Sequence, residues 1–354
     1  VSGFAQRPTI ADVAAGAGVS TVTVSRVIEG SPRVATSTRA RVEAAMREVG
    51  YFGNAAATQL VSGQARTLGV VTSSTADYGY ASTISGIEQR ARQQDMAVLI
   101  AVIEGGEPQD VTKTVRTVAS HALAGVIVID YDTAAHAVLA ELPGYLPAVG
   151  TTAPRGGRTA PRPFVSIDEY EGANLAAQHL VDLGHRSIFV LAQPNIDTQA
   201  QRTRAVLDVL DAARLPHYPV ISCPDWRPES GYAAATDLLR SYGNQVTAIA
   251  CANDEIALGA TRAIHDAGLS VPEDISVVGF DDDPIAAYSQ PALTTVRQDF
   301  VQLGQSAFNL LLRVIAGDDA ESGTATMPVL VLRESSAPPN PARGLGLVGA
   351  ALPS

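Results

Sequence analysis

Apolar positions along the chain change their rhythm near residue 67. Before it they recur at helical spacing in short blocks. Ile10, Val13, Ala14 and Ala17 share one helix face, and Val24, Val27 and Ile28 share one face of the next. Thr9 caps the first block, with Asp12 three residues on at its positive end. Gly18-Val19 breaks the helix, and Ser20 caps the second block. Thr38-Arg39-Ala40-Arg41-Val42 opens a third. Residues 1–53 are thus expected to form a small all-α unit. Residues 54–67 read as a linker with a short helical core.

From Leu68 short apolar runs alternate with longer amphipathic ones. Strands are expected at Leu68–Val71, Ala97–Val102, Gly125–Ile129, Phe164–Ile167, Ser187–Leu191, Val246–Cys251 and Ile275–Phe280. Helical patterns lie between them, at Thr83–Gln94, Asp110–Ser120, Glu171–Leu183, Gln199–Ala212, Ser230–Ser241 and Glu255–Asp266. This alternation predicts parallel sheets covered by helices on both faces. The strands are too numerous for one comfortable sheet. The expected fold is an α/β body of two doubly wound parallel-sheet lobes over residues 68–336, with a cleft at the strand carboxyl ends. Lobe 1 would hold about 68–167 and 298–327, and lobe 2 about 168–297 and 328–336. The Pro/Gly-rich tail, 337–354, reads as disordered.

Composition sharpens this picture. The net charge of −11 at first opposes an acidic partner such as DNA, but it is unevenly spread. Residues 1–64 carry six arginines against four acids, whereas the rest carries 19 basic and 32 acidic residues. A mildly basic headpiece on an acidic body fits a reader of DNA whose body stays off the phosphates. Two short helices around a tight turn are also how many small domains place a helix in the major groove. Thr21, Val22, Ser25 and Arg26 would point outward from the second helix. No apolar run approaches the length of a membrane span. The first residues lack the apolar core of a signal peptide, so a cytoplasmic location is expected. Cys223 and Cys251 have no metal-ligand spacing and read as buried core residues.

The segment TIADVAAGAGVSTVTVSRVIEG, continued by Val34, the third helix, Val49-Gly50-Tyr51 and Asn54, resembles the headpiece of the LacI/GalR family of bacterial transcription regulators. The body is similar to that family's periplasmic-binding-protein-like effector domain. The resemblance there is carried by Asp168, Leu183-Gly184-His185-Arg186, Ala252-Asn253-Asp254-Glu255, Val278-Gly279-Phe280-Asp281-Asp282 and Pro291–Asp299. The resemblance implies a homodimer on a pseudo-palindromic double-stranded operator. Contacts would come from Thr9, Ser20, Thr21, Val22, Thr23, Ser25 and Arg26, and from Asn54, Ala57 and Leu60 in the linker. In the family the linker folds into a hinge helix on DNA and a leucine wedges into the minor groove; Leu60 falls on that position. Gly53 and Thr58 depart from the family pattern and loosen this hinge.

Candidate ligand residues sit where strands end. Asp281, Asn253 and Arg202 supply acceptors, a mixed amide and a donor fork suited to vicinal hydroxyls. Trp226 offers a flat apolar face to a pyranose ring. Each also has a plainer reading: Asp281 or Asn253 as a cap, Arg202 as a surface cation, Trp226 as core. The resemblance places all four on effector-contact positions. Ser74 and Tyr78, after the first strand, and Gln298 with Phe300, on the crossover floor, are further candidates. No nucleophile elbow, Walker loop, HExxH or GxGxxG is present, so neither catalysis, a cofactor nor a metal is expected. His185 reads as structural. The expected function is a DNA-binding repressor of carbohydrate-utilisation genes, released by a small sugar. A nucleobase or other non-sugar effector or corepressor is the alternative, with a transport solute-binding protein or an enzyme further behind.

Overall fold

The computed structural model describes residues 8–28, 30–51, 65–153, 159–194 and 200–343. The chain divides into two compact units, Val1–Arg66 and Thr67–Ser354.

The first unit holds α1 (Ile10–Ala17), α2 (Thr21–Ile28) and α3 (Thr36–Val49). Thr9 and Asp12 close a reciprocal capping box: the Thr9 amide donates to Asp12 Oδ2 at 2.7 Å, and the Asp12 amide donates to Thr9 Oγ1 at 3.4 Å. The Thr9 hydroxyl, which donates to Asp12 Oδ2 at 2.7 Å, and then the Thr9 amide hold the exposed Asp12 carboxyl below its ordinary pKa. The turn between α1 and α2 is made at Gly18, whose φ of +62° an L side chain rarely adopts. Ser20 Oγ accepts from the Thr23 amide at 3.2 Å and so starts α2. Val13, Val24 and Val42, one from each helix, are fully buried against one another, and Ile10 and Ile28 pack at the edge. Arg39, on α3, donates to the carbonyls of Val27 and Ser31 and so ties α3 to the end of α2. Asn54, Ala57 and Leu60 lie outside the described residues.

The second unit begins with β1 (Thr67–Thr72), α4 (Tyr78–Gln93), β2 (Ala97–Val102), α5 (Pro108–Ala119), β3 (Val126–Val128), α6 (Thr133–Glu141), β4 (Ala148–Gly150) and β5 (Val165–Ile167). It continues with α7 (Glu169–Asp182), β6 (Ile188–Ala192), α8 (Gln201–Ala212), β7 (Ile221–Ser222), α9 (Pro228–Tyr242), β8 (Ala248–Cys251), α10 (Asp254–Asp266) and β9 (Ser276–Val278). Last come β10 (Thr295–Arg297), α11 (Phe300–Ala316), β11 (Gly323–Thr326) and β12 (Val329–Val331). Two parallel sheets form, ordered β2-β1-β3-β4 and β7-β6-β8-β9. A bridge from Gly150 to Phe164 extends the first to β5, which pairs with β11. A bridge from Val278 to Thr294 extends the second to β10, which pairs antiparallel with β12. The chain therefore passes between the lobes after β5, after β10 and after β11.

The central strands of each sheet bury both faces. Leu68, Val70, Ile127 and Val149 face one way in lobe 1, and Val71, Val126, Val128 and Ala148 the other. That is period-two alternation with apolar residues on both sides, the signature of a helix-covered parallel sheet. In each lobe two helices meet through glycines. Gly86 of α4 and Gly304 of α11 each lie against the partner helix's backbone, as do Gly231 of α9 and Gly259 of α10. A methyl group at any of these four positions would overlap main-chain atoms. No described helix is long and apolar enough to cross a membrane.

The expectation of disorder from residue 337 fails for its first part. Ala337–Arg343 docks on lobe 2. The Ala337 carbonyl accepts from Ser276 Oγ at 2.9 Å and lies 2.9 Å from His185 Nε2, and the Asn340 amide reaches Asp274. The Pro-rich composition hid this because the partners are buried polar groups that need the tail's backbone. His185 is accordingly structural, with Thr247 on its other ring nitrogen. Helix α4 also begins five residues before the expected Thr83, because Gly79 and Ala81 give its first turn no apolar signal.

Candidate effector cleft and headpiece surface

The strand carboxyl ends of both lobes open onto one cleft. Its two walls differ in chemistry.

Lobe 1 supplies aromatic rings. Tyr78 and Tyr80, in the first turn of α4, meet Tyr131 at the end of the β3 segment and Phe300 at the start of α11. Tyr80 and Tyr131 cross edge to face at 4.9 Å, and Tyr78 and Phe300 at 5.9 Å. Tyr80 donates to Asp132 at 3.0 Å, and its burial pushes the phenol pKa far up.

Lobe 2 supplies charge. Arg202, in the first turn of α8, is buried. Its Nη2 donates to Glu169 at 2.7 Å, its Nη1 donates to the Ala252 carbonyl at 2.5 Å, and Nη1 lies 3.5 Å from Asp281. The guanidinium stands 4.2 Å from the Phe280 ring centroid and 5.6 Å from that of Trp226. Burial alone would lower its pKa, but the carboxylates of Glu169 and Asp281 more than offset that. It is firmly charged, and its Nε has no partner among the described residues.

Asp281 follows β9 and pairs through a bridge with Arg297. Its φ of +104° is strained for a residue with a side chain. Gln298 Nε2 donates to Asp281 Oδ1 at 2.7 Å. Burial pushes the Asp281 pKa up to about 6, against the pull of Arg202 and Gln298. Asp254, at the N-terminus of α10, accepts from Thr295 Oγ1 at 2.5 Å and from the Asp283 amide at 2.7 Å. Burial first, then Asp281, drives its pKa well above the carboxylate range.

Of the seven expected ligand residues, Tyr78, Arg202, Trp226, Asn253 and Asp281 line this cleft. Asn253 is nevertheless engaged on both ends. Its Oδ1 accepts from the Ile256 amide at 2.9 Å, and its Nδ2 donates to the Trp226 carbonyl at 3.1 Å. It caps α10 and fixes the loop that carries Trp226. Ser74 is not among the residues lining the cleft, and its Oγ accepts from the amides of Ala76 and Asp77 in the turn before α4. Gln298 stands behind Asp281 and lines a smaller adjoining space with Phe300. Sequence reasoning missed Tyr80, Tyr131, Glu169 and Gln193. Glu169 sits beside the recognised Asp168, which caps α7 through the Glu171 amide at 2.9 Å. Nothing in the sequence says that Arg202, 33 positions on, reaches back to it.

In the headpiece, Thr21, Val22 and Arg26 stand exposed along one side of α2, with Val22 at 57%. Thr23 and Ser25 are half-buried. Thr9, Ser20 and Thr23 spend hydroxyl groups on local caps. The outward face offers one guanidinium, a β-branched methyl surface and small hydroxyls, a set suited to phosphates and thymine methyl groups.

Residues 9–54 match the model of the bacterial regulatory proteins of the lacI family, and residues 177–336 that of a periplasmic binding protein-like domain. The chain is 34% identical over 339 residues to the lactose operon repressor of Escherichia coli (strain K12), covering 94% of this chain and 91% of that protein. It superposes with a TM-score of 0.85 on the lac repressor dimer bound to operator and the anti-inducer ONPF, at 33% identity, covering 94% of this chain and 100% of that one. A complex of the transcriptional regulator CelR with cellobiose gives a TM-score of 0.69 at 29% identity, over 93% of this chain and 100% of that one.

Proposed function

Because this chain belongs to the LacI family of bacterial regulatory proteins, we propose that it represses carbohydrate-utilisation genes and is released from its operator by a saccharide. It is a DNA-binding transcription regulator, and this reading assigns it no turnover. Two copies would pair so that two α2 helices meet the two halves of a pseudo-palindromic site, since one short helix reads too few bases for specificity alone.

The observation that carries the effector reading is the asymmetry of the cleft. A sugar ring has apolar C–H faces and a polar hydroxyl edge. The rings of Tyr78, Tyr131 and Phe300 suit the first. Arg202, held in place by Glu169 and the Ala252 carbonyl, suits the second together with Asp281. Arg202 Nε and Gln193 Oε1 have no partner among the described residues and offer a ligand a donor and an acceptor. CelR, similar over nearly the whole chain, holds cellobiose in its solved structure.

The cleft is lined from both lobes, so a ligand that touches both favours one relative arrangement of them. Coupling to the headpiece is then a two-state equilibrium biased by two sites. The test is a titration of operator DNA, first selected from a random pool, with and without candidate saccharides. A saccharide that binds the cleft and weakens operator binding supports the reading. Turnover of a bound sugar, or the absence of any sequence-selective DNA binding, contradicts it.

A further inference from the structure

The charge balance of the cleft says more about its ligand than its shape does. Among the described residues lining it, six are carboxylic and one, Arg202, is cationic. Asp254 is buried and held toward its neutral form, and Arg202 is shared between Glu169 and Asp281. Three carboxylates remain: Asp77, at the start of α4 in lobe 1, and Glu255 and Asp283, beside α10 in lobe 2. None of the three has an ion pair among the described residues. All three line the same cleft, and burial first, then Asp77, Asp283 and Glu229, raise the Glu255 pKa, with Arg227 opposing.

A second, independent feature points to a ligand in the same cleft. Gln193 is 8% exposed, lines the cleft and has a side-chain oxygen with no donor among the described residues. Its position calls for a ligand that donates. The rings of Tyr78, Tyr131, Trp226 and Phe300 line the same cleft, and aromatic faces attract organic cations. A neutral sugar would leave the carboxylates of the two lobes opposed and unneutralised. A bare metal ion fits poorly, since no described group of three or more acidic, histidine or cysteine side chains is arranged to hold one.

We propose that the effector is a cationic saccharide, a mono- or disaccharide bearing a protonated amine that lodges among Asp77, Glu255 and Asp283. Its hydroxyls then face Arg202, Asp281 and Gln193. The ammonium places a positive charge in the cleft between the lobe 1 carboxylate and the two of lobe 2, and this reduces the repulsion that opposes closure. The inference rests on the saccharide reading above and specifies its charge.

The experiment is calorimetry on the full chain with matched pairs: glucosamine and glucose, galactosamine and galactose, and the β-1,4-linked disaccharide of glucosamine beside cellobiose. In at least one pair the amino sugar should bind on the order of tenfold more tightly, with the advantage shrinking as salt is raised. Glu255→Gln and Asp77→Asn, one in each lobe, should each bring that ratio toward unity, with thermal melting checking that both are folded. Neutral sugars binding as well as their amino partners in every pair would overturn the inference and leave the saccharide reading standing. A preference that survives in both variants would overturn it too. If no member of any pair binds, both readings fall.

Discussion

Asp281→Asn isolates the energy stored at the cleft. The Asp281 side chain is 14% exposed, and burial lifts its pKa from 3.8 to about 6. Two units at about 1.36 kcal/mol each give about 3 kcal/mol. The folded protein holds this proton over a range in which the unfolded chain has lost it. The stabilisation is therefore complete below about pH 4, is lost as pH rises toward about 6, and stays lost above that. Asparagine does not titrate and can keep the Gln298 contact, so the variant lacks this loss. Urea unfolding of both proteins, at one fixed concentration because dimers unfold in a concentration-dependent way, should be compared at about pH 4 and about pH 7.5. The variant should gain about 2–3 kcal/mol on wild type between the two conditions. Stability curves that stay parallel across this range would refute the reasoning, by showing that Asp281 is ordinarily solvated or is held by Arg202 more strongly than it is desolvated. A gain in stability with a loss of effector binding would mark Asp281 as a residue kept for function.

Three further outcomes follow from the packing and the headpiece. Arg26→Ala should weaken specific operator binding by about 1–3 kcal/mol in a salt-matched anisotropy titration, and an unchanged affinity would remove α2 as the reading helix. Gly304→Ala would place a methyl group against the Thr83 carbonyl, so it should destabilise the body by about 1–3 kcal/mol in denaturant melts without touching the isolated headpiece interface to DNA. Leu60→Ala should reduce operator bending and affinity while sparing sugar affinity, because an inserted apolar side chain unstacks and bends the duplex. Normal bending in that variant would assign the coupling elsewhere.

The elements that sequence rhythm revealed are those with a long apolar face. Helices α7 to α10 and strands β1 and β6 follow the expected segments to within a few residues, because sheets covered on both sides demand continuous apolar runs. The short strands β10 to β12 were not individually legible. Each has only three or four residues, and each is defined by pairing with a strand distant in sequence rather than by its own pattern. The site divided in the same way. Arg202, Asp281 and Trp226 could be named from strand ends and family position. Glu169, Tyr80 and Tyr131 could not, since what makes them part of the cleft is a contact across tens of residues. A serine after a strand serves a turn as readily as a ligand, and at Ser74 the amides of Ala76 and Asp77 donate to its oxygen. Asn253 shows that the two readings of a residue need not compete: it caps α10 and lines the cleft together.

The central claim is that occupancy of the cleft controls the headpiece. The most direct measurement is operator affinity at fixed salt, with and without a saturating saccharide that calorimetry has shown to bind, for wild type and for Asp281→Ala. Wild type should lose at least about tenfold in operator affinity on adding the saccharide, a coupling of about 1.4 kcal/mol or more. Asp281→Ala should bind operator as wild type does in its absence and show no change in its presence. A saccharide that binds wild type with no effect on operator affinity, or an Asp281→Ala protein that responds as wild type does, would contradict the account.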